Sequence, residues 1–350
     1  MKNALLLPFI LLILGCSEES DPGTVSDADW LIERTKVFDG GPGKDGIPAL
    51  DNPEMAPIGS AGLDYLTDSD LVLVYENNGE VKAYSHPVLD WHEIINDQIG
   101  DDFVGVTYCP LTGTGIGWGR EINGEITTFG VSGLLFETNL MPFDRLTESY
   151  WSQMANQCVK GELISKRPDF FNLTQMSYGS LKELFPDALV TTNTTGHDRD
   201  YDLFPYGSYR TNSAVLFPVS IADDRLHPKE LVRGVEIAGK AVAFKYPNSG
   251  KRELITHTFQ GADLVVVADE SKDFIVSFRN TQIENTPLVF SLLNDQSSDA
   301  ILVDQLGNEW NIFGTAISGP NTGFQLEVPY SYVGYWFSWS TFYPGIELFE

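Results

Sequence analysis

Cys109 and His92 are the two residues whose chemical types and settings best suit a reactive or metal-binding site. Cys109 follows the β-branched run FVGVTY (103–108) and opens a turn rich in threonine and glycine, CPLTGTGIG (109–117). His92 lies in the segment VLDWHEIIND (88–97). A thiol and an imidazole from neighbouring segments can share either a metal ion or a proton, so these two residues form the first candidate site.

Two kinds of chemistry are open to this pair. Sulfur and nitrogen ligands suit copper or zinc, with His86 or Glu93 completing the ligand set. A thiol enzyme would instead use His92 to lower the pKa of Cys109 and produce a nucleophilic thiolate. In a third, purely structural interpretation, Cys109 is a small buried side chain and His92 a hydrogen-bonded helix residue.

The segment SGLLFETNLMPFDRLTESYWSQ (132–153) concentrates polar side chains that could surround a small ligand. With two residues of the segment 88–97, the candidate ligand pocket consists of Glu93, Asp97, Ser132, Asp144, Arg145, Ser149, Trp151 and Gln153. An internal ion pair that holds the loop is an equal alternative for Asp144 and Arg145. Ser132 does not lie in a nucleophile-elbow motif, and Ser318 repeats it later in the chain, which favours a role in a turn.

Several familiar site motifs are absent from the sequence. Asp198, Asp200 and Asp202 alternate as in a calcium loop, but the glycine and the distal glutamate of an EF-hand are missing. There is no Walker loop, no His-Glu-x-x-His motif and no dinucleotide-binding fingerprint. The sequence therefore names no reaction.

The N-terminus predicts export and lipidation. Residues 1–15 contain an apolar run, Ala4–Leu14, that is too short to span a bilayer and is typical of a signal peptide. The run ends in Ile-Leu-Gly-Cys, which resembles a bacterial lipobox and would make Cys16 the lipidated first residue. Residues 16–45 then form a flexible tether. We expect a lipid anchor in the bacterial outer membrane, with the protein in the periplasm or on the cell surface.

Charge limits the partners. The chain has 22 Lys and Arg residues against 49 Asp and Glu residues, a formal net charge of −27. This charge argues against nucleic acid and against direct docking on anionic lipid, so the expected membrane contact is through the lipid alone. We expect a monomer whose small-molecule ligand is unknown.

The elements that must position these residues are mostly short strands. β-type runs bounded by Asn-Gly, Gly-Asp or Pro turns dominate the chain, and helical periodicity is limited to residues 88–99, 178–187 and 145–154. The expected fold class is α+β and β-rich.

The second half of the chain repeats the first at a constant offset of about 160 residues. ENNGEVKAYSHP (76–87) aligns with EIAGKAVAFKYP (236–247), and the apolar positions stay in register for some forty residues. We expect two pseudo-repeated β-units, at about 71–133 and 233–319, joined by a partly helical middle segment.

In domain terms, residues 46–350 form one domain. It is built from repeats at 46–160 and 230–350 with a connecting segment at 161–229.

The repeat separates residues that both copies keep from residues that only one copy has. Glu93 has a counterpart in Glu253, whereas His92 aligns with Arg252 and Cys109 with Asp269. Any chemistry of Cys109 and His92 is therefore confined to the first copy.

Four segments resemble a known family. AYSHPVLDWHEIIND, VTYCPLTGTGIGW, TFGVSGLLFETNLMPFDRLTESYWSQ and GHDRDYDLFPYGSY are similar to motifs of the domain of unknown function 3179 family, over residues 45–345. The resemblance implies kinship of fold and no established activity. The family motif usually reads Cys-Pro-Leu-Cys, but Thr112 stands at the second cysteine here. That departure excludes a redox disulfide between positions 109 and 112 and leaves any metal site one thiolate short.

These observations predict an extracytoplasmic lipoprotein with a soft-metal or thiol site at Cys109 and His92. We expect the two side chains in one pocket, with Asp144, Arg145 and Trp151 as its wall, and no disulfide between Cys109 and Cys158. The alternative function is a non-catalytic surface lipoprotein that binds a small ligand or serves as structure.

Overall fold

A computed structural model describes residues 29–293, 295 and 298–349. The expected signal peptide, Cys16 and the first part of the tether lie outside this range. Within it, no helix has both the length and the apolar character needed to cross a bilayer.

The first part of the chain alternates short strands with two short helices. The strands are β1 (Val37–Asp39), β2 (Leu50–Asp51), β3 (Met55–Pro57), β4 (Leu71–Asn77), β5 (Glu80–Ser85), β6 (Ile94–Ile99), β7 (Asp102–Cys109), β8 (Thr114–Gly119), β9 (Glu121–Ile122), β10 (Glu125–Ile126), β11 (Phe129–Phe136), β12 (Asn139–Asp144), β13 (Tyr150–Ser152), β14 (Gln157–Lys160), β15 (Phe170–Phe171), β16 (Thr174–Ser177) and β17 (Leu189–Thr191). The helices are α1 (His86–His92) and α2 (Tyr178–Leu184).

The second part contains thirteen further strands and one helix among the described residues. The strands are β18 (Leu231–Ile237), β19 (Lys240–Lys245), β20 (Arg252–Phe259), β21 (Ala262–Asp269), β22 (Phe274–Arg279), β23 (Gln282–Ile283), β24 (Thr286–Pro287), β25 (Phe290–Leu292), β26 (Ala300–Asp304), β27 (Glu309–Asn311), β28 (Ala316–Ser318), β29 (Ser331–Tyr335) and β30 (Glu347–Phe349). The helix is α3 (Trp336–Phe342).

The two parts share one strand order, to which the first part adds the edge strands β1, β2, β3 and β15. In the first, the sheets run β16-β4-β5-β17-β3, β15-β8-β7-β6-β2 and β1-β11-β12-β13-β14. In the second, they run β29-β18-β19-β30, β22-β21-β20 and β25-β26-β27-β28. In both, the last strand joins the opening hairpin in parallel after a helix. The expected β-rich α+β class is confirmed. The repeat is present, but its expected bounds are wrong at one end: β10 and β11 correspond to β24 and β25, so residues 125–133 do not match residues 309–319, which form the counterparts of β13 and β14.

The repeated unit is longer than the aligned sequence. Residues 161–191, assigned from sequence to the connecting segment, supply β15, β16, α2 and β17 to the first copy. We call residues 71–191 the first unit and residues 231–349 the second unit.

The same turn geometry opens both units. Asn78-Gly79 connects β4 to β5, and Ala238-Gly239 connects β18 to β19, with positive φ at all four residues. Two successive residues with positive φ form the tight turn that matches the twist of a two-stranded hairpin. Equal turns at an offset of 160 explain why the two hairpins keep one register.

The two largest hydrophobic cores draw on both units, while each unit also has a smaller core of its own. One core combines Trp118 and Trp151 of the first unit with Tyr332 and Trp339 of the second. The other core likewise joins first-unit residues such as Val72, Val74 and Met176 to second-unit residues such as Val276 and Trp310. Strands of the two units also pack against each other: β16 lies against β22, and β29 lies against β8.

A long connection, residues 192–230, leads from the first unit to the second, and we call it the strap. It contains a short 3-10 turn, Tyr209–Thr211, and otherwise follows an irregular path. Side chains of the first unit hold it in place: Thr138 Oγ1 donates to the carbonyl of Phe217 at 2.8 Å, and the Glu137 carboxylate accepts from Ser220.

Two of the three helix predictions need correction. Residues 88–99 were expected to form one helix, but the helix is His86–His92 and Ile94–Ile99 is a strand paired with β7. Residues 145–154 were also expected to be helical, and they form a turn followed by β13. The third prediction, 178–187, agrees with α2. In both wrong cases hydrogen bonding to neighbouring strands outweighed local periodicity.

Candidate functional site

The site begins where α1 ends. Glu93 follows the helix with φ of 58°, a conformation that a helix cannot continue through. Its N–H donates to the carbonyl of Leu89 at 2.7 Å, and its own carbonyl accepts from the N–H of Tyr108 at 2.7 Å. The backbone is fixed on both sides, so the chain turns directly from α1 into β6 and holds the Glu93 side chain in the interior.

Glu93 lines a mainly apolar cavity of about 70 Å³. The walls come from an entry loop (residues 40–47), from β11 and β12, and from the strap. The lining residues are Gly40, Pro42, Ile47, Glu93, Leu111, Val131, Gly133, Leu134, Leu135, Leu140, Tyr206 and Phe217. Among these twelve, Glu93 carries the one carboxyl and Tyr206 the one phenol.

The surroundings of Glu93 favour its neutral form. Burial raises its pKa to about 7, while a hydrogen bond from Tyr206 Oη to Glu93 Oε1, at 3.3 Å, opposes the shift. The negative charge of nearby Asp90 raises the pKa further. At neutral pH this carboxyl is therefore close to half-protonated and can either donate or accept a hydrogen bond.

Cys109 is a buried, protonated thiol in this environment. Burial first, and then the charge of Glu93, raise the pKa of Cys109 to about 11. Cys158 is also free and buried. The expected activation by His92, which would lower the pKa of Cys109, does not agree with these surroundings.

A second buried carboxyl joins the site to the strap. Both carboxylate oxygens of Asp90 accept from Arg210 Nη2, at 2.5 and 2.7 Å. Burial raises the pKa of Asp90 to about 7 against the pull of Arg210. The phenols of Tyr108 and Tyr335 also interact with the guanidinium, and Tyr335 belongs to the second unit.

The strap closes over the cavity through several anchors. Tyr209 Oη donates to the carbonyl of Leu111 at 2.9 Å. Lys229 is buried, and its Nζ donates to the carbonyls of Tyr209, Asn212 and Ala214 at 2.7 to 3.0 Å. A single ammonium thus fixes three points of the strap, which keeps Tyr206 and Phe217 against the cavity.

The entry loop forms the opposite wall and depends on a glycine. A Cβ on Gly133 would lie 2.8 Å from the backbone of Gly43, so a larger residue would push the loop away. Gly133 also has φ of 78°, which permits the β11 bulge at this point. Arg145 secures the loop through two bonds to Asp45, at 2.7 and 2.8 Å.

Both ring nitrogens of His92 have hydrogen-bond partners other than Cys109. Its Nδ1 lies 2.7 Å from the carbonyl of Pro48, and its Nε2 lies 2.8 Å from Tyr201 Oη. Burial lowers the pKa of His92 to about 4. Since both ring nitrogens are engaged, the expected sharing of a ligand or proton between His92 and Cys109 gains no support.

His86 does not complete a metal site. Its ring packs on Tyr108 with centroids 4.4 Å apart, and burial lowers its pKa well below the ordinary value. Across residues 29–293, 295 and 298–349, no group of three or more His, Cys, Asp or Glu side chains is arranged to hold a metal ion.

Asp144, Ser149 and Trp151 belong to a turn rather than to a pocket wall. Asp144 accepts from the N–H of Thr147 at 2.7 Å and from Trp151 Nε1 at 2.9 Å, and Ser149 Oγ bonds to Thr147 Oγ1 at 2.8 Å. The second unit has the same arrangement, with Trp310 Nε1 donating to Asp304 at 3.0 Å. A feature present in both units is structural.

The other pocket candidates have equally local partners. Ser132 Oγ donates to the carbonyl of Met141 and accepts from the N–H of Leu134, as a turn residue would. Asp97 accepts from Tyr84 Oη at 2.8 Å and from Lys82 Nζ at 3.1 Å. Of the eight predicted pocket residues, Glu93 alone lines the cavity.

Gln153 lies in a buried polar network beneath Cys109. Its Oε1 accepts from Thr114 Oγ1 at 2.8 Å and from Asn139 Nδ2 at 2.7 Å. Asn139 Nδ2 also donates to Thr112 Oγ1 at 3.0 Å, and the Thr112 hydroxyl interacts with the Cys109 thiol.

The second unit fills the corresponding corner with a buried ion pair. Arg252 and Asp269, the counterparts of His92 and Cys109, face each other across β20 and β21, and Arg252 Nε donates to Asp269 at 3.0 Å. No helix interrupts the second unit here, so β20 begins at Arg252 itself. The cavity with its carboxyl is a property of the first unit.

A family model, described as a protein of unknown function (DUF3179), matches residues 44–346. The chain belongs to this family. No curated protein and no solved structure matches the chain.

The DUF3179 resemblance and the geometry lead to the same place. All four segments that resemble the family contribute to the lining of the cavity. Three of them supply Glu93, Leu111 and Tyr206, and the fourth supplies Val131, Gly133 and their neighbours. Thr112, which replaces the cysteine usual in the family, lies in the polar network beside Cys109.

Sequence reasoning missed the strap residues. Tyr206, Arg210 and Lys229 were not among the predicted site residues, although Tyr206 lies in the segment GHDRDYDLFPYGSY. The sequence did contain one indication of these residues, because this segment resembles the family although it lies between the repeated strands. A motif that the repeated fold does not need is a candidate for the site.

Proposed function

We propose that the protein is a cell-envelope lipoprotein that binds a small, mainly apolar ligand with one polar group. The observation that carries the proposal is the position of Glu93, a buried carboxyl with a pKa of about 7 in an otherwise apolar cavity. Apolar walls with a few placed polar groups are typical of small-molecule sites. Glu93 would bond the polar group of the ligand, and the strap would cover it.

The cavity volume limits the ligand. A cavity of roughly 150 Å³ accommodates benzene, with six non-hydrogen atoms. The observed volume of about 70 Å³ therefore suits a ligand of about three to five non-hydrogen atoms unless the strap moves.

Copper or zinc binding at Cys109, His92 and His86 stays a prediction, as does a reactive thiol. The geometry gives both less support than ligand binding, because the pKa of Cys109 is raised and both nitrogens of His92 are bonded. Metal analysis of protein purified without chelators would revive the metal hypothesis if Cys109→Ser removed a stoichiometric ion.

Methyl NMR of Leu and Val residues tests the cavity, with 2-propanol as the probe. We expect saturable shifts at Val131, Leu111 and Leu140, with a Kd no tighter than about 50 μM for four non-hydrogen atoms. Leu134→Trp should fill the mouth of the cavity and abolish the saturable shifts.

The matched control is Leu146→Trp, since Leu146 is 47% exposed and lies outside the cavity lining. It should bind 2-propanol like the wild type. Shifts that never saturate, or that persist in Leu134→Trp, would refute the proposed ligand site.

The cellular location is a further part of the proposal. Its support is the apolar run 4–14 and the Ile-Leu-Gly-Cys sequence ending at Cys16, with the lipid as the membrane contact. Cys16→Ser should move the protein from the outer-membrane fraction to the soluble fraction without unfolding it. Cys158→Ser, the matched control, should stay with the membrane, and a Cys16→Ser protein that also stayed there would contradict lipidation.

A further inference from the structure

Arg233 on β18 is a fully buried arginine whose bonded partners are all neutral. Its Nε donates to Ser277 Oγ at 3.1 Å, and its Nη2 donates to Ser331 Oγ at 2.8 Å and to Asn172 Oδ1 at 3.0 Å. The side chain is 0% exposed. Within the described part of the chain, Nη1 is buried and has no hydrogen-bond partner.

The first unit has no such charge at the equivalent position. Strand register aligns Arg233 with Leu73, Ser277 with Gly117 and Ser331 with Leu173. Leu73 and Leu173 are buried in an apolar core. The first unit thus has apolar side chains where the second unit has a guanidinium and two hydroxyls. Since leucine packs well at this position in the first unit, packing alone does not require an arginine in the second.

The charge of Arg233 is not balanced by its surroundings. Burial lowers its pKa to about 10, so the guanidinium still carries its proton at neutral pH. The nearby ionisable group is Tyr246, whose pKa burial raises, so the phenol is neutral. A buried charge without a partner of opposite sign is strongly unfavourable.

The buried arginines elsewhere show how this protein normally treats such a charge. Arg252 pairs with Asp269 at 3.0 Å, and Arg120 donates to the backbone carbonyls of Thr127 and Asp97 at 2.9 Å while interacting electrostatically with the Asp51 and Asp97 carboxylates. Arg233 donates to two hydroxyl oxygens and one amide oxygen and lacks a carboxylate among its bonded partners, so an anion at the unpartnered Nη1 would balance its charge.

We propose that Arg233 binds a small inorganic anion of the size and charge of chloride, at the junction of β18, β22 and β29. Nη1 offers two N–H groups to the anion. The Ser277 hydroxyl donates to Ser331 Oγ at 3.1 Å and the Ser331 hydroxyl donates to the carbonyl of Pro329 at 2.8 Å, so a serine that donates to the anion must first rotate away from that acceptor. The bound anion neutralises the guanidinium and stabilises the contact with Asn172 of the first unit.

Thermal unfolding of the full-length protein in sodium chloride and in sodium gluconate, at equal ionic strength, tests this site. We expect Tm to rise with chloride and to saturate, by about 4 °C when chloride is a hundredfold above its Kd. Gluconate, which is too large for the interior, should give no rise. Arg233→Leu, which copies Leu73, should remove the chloride response.

Two further measurements keep the test decisive if Arg233→Leu does not fold. Ser277→Ala retains the charge and should weaken chloride binding several-fold. Crystals soaked in bromide should show an anomalous peak within hydrogen-bonding distance of the Arg233 guanidinium.

The matched control is Arg120→Leu, which removes another buried arginine and should keep the chloride response. Equal Tm values in chloride and gluconate would overturn the proposal. A chloride response that survives in Arg233→Leu would overturn it as well.

Discussion

Glu93 determines how the candidate site responds to pH. Its pKa is raised from 4.5 to about 7 in the folded protein, so the native state binds this proton more tightly than the unfolded state does. The protonated form is favoured by folding, and stability from this group is therefore present at low pH and is lost as pH rises from about 4.5 to 7. The loss is about 3 kcal/mol in total.

Glu93→Gln should remove that loss. We expect the variant to match the wild type in urea unfolding at about pH 4, below the unfolded-state pKa, and to exceed it by about 3 kcal/mol at pH 8. Asp90, whose pKa is also raised, stays in both proteins, and the measured difference includes the relief of its repulsion with the Glu93 carboxylate. Glu253→Gln, at the counterpart position in the second unit, serves as the control. Equal stability of Glu93→Gln and wild type at pH 8 would show that the carboxyl is not held in an apolar setting.

Cys109 should be unreactive in the native protein. Its thiol is 1% exposed and has a pKa of about 11, and thiol reagents attack the thiolate. In a Cys158→Ser background, we expect labelling by a disulfide reagent at pH 8 to be at least about 100-fold slower than in urea. Rapid native labelling with a midpoint below pH 8 would restore the activated-thiolate hypothesis.

At the scale of elements, the strap supplies the wall that covers the cavity. The sheets supply one wall, but Tyr206 and Phe217 come from a segment whose path depends on Lys229, Arg210 and Tyr209. The strap also spans the step from one unit to the next. The hydrogen bonds and ion pairs that hold the strap join residues far apart in the sequence. The strap is therefore held in one position only when both units are folded.

Lys229→Met should loosen the strap while leaving the sheets folded. The change removes three hydrogen bonds from a charged donor, each worth about 1.5–3 kcal/mol before relaxation. We expect trypsin to cut the strap at Arg210 or Arg225 roughly tenfold faster, with little change in the circular dichroism of the strands. Lys240→Met, at an exposed hairpin position, should leave the cleavage rate unchanged. Global unfolding of Lys229→Met would mean that the strap and the sheets form one cooperative element.

The elements also show what the sequence could and could not predict. Period-two runs and Asn-Gly turns predicted the β-rich class and the repeat, because these signals are local. The helix predicted at 88–99 was wrong from residue 93 onward, because pairing with β7 and the positive φ of Glu93 are decided by tertiary contacts. Both ring nitrogens of His92 have other partners, so the pair with Cys109 stays a prediction that this geometry does not support.

At the scale of the whole molecule, each unit supplies part of the packing of the other. The two shared cores take aromatic side chains from both units, and the N–H of Tyr335 in the second unit donates to the carbonyl of Thr112 in the first at 2.8 Å. The ring of Tyr335 also lies against Gly113, where a Cβ would meet it at 3.1 Å. The candidate site therefore needs the second unit, even though the chemistry is confined to the first.

This architecture predicts that neither half folds alone. Separating the chain between Ser213 and Ala214, in the strap, leaves each half without its share of both cores. A fully buried large side chain contributes about 1.5–3 kcal/mol, and each half would lose several such contacts, among them those of Trp118, Trp151, Trp310 and Trp339. Against a total stability of about 5–15 kcal/mol, that loss is decisive.

We expect each half, expressed alone, to show no cooperative thermal transition. The two halves, expressed together, should form a one-to-one complex with the strand content of the intact protein. Size-exclusion chromatography and circular dichroism provide the measurement. A cooperative transition in either isolated half would show that the units are independent domains and that the shared cores are only an interface.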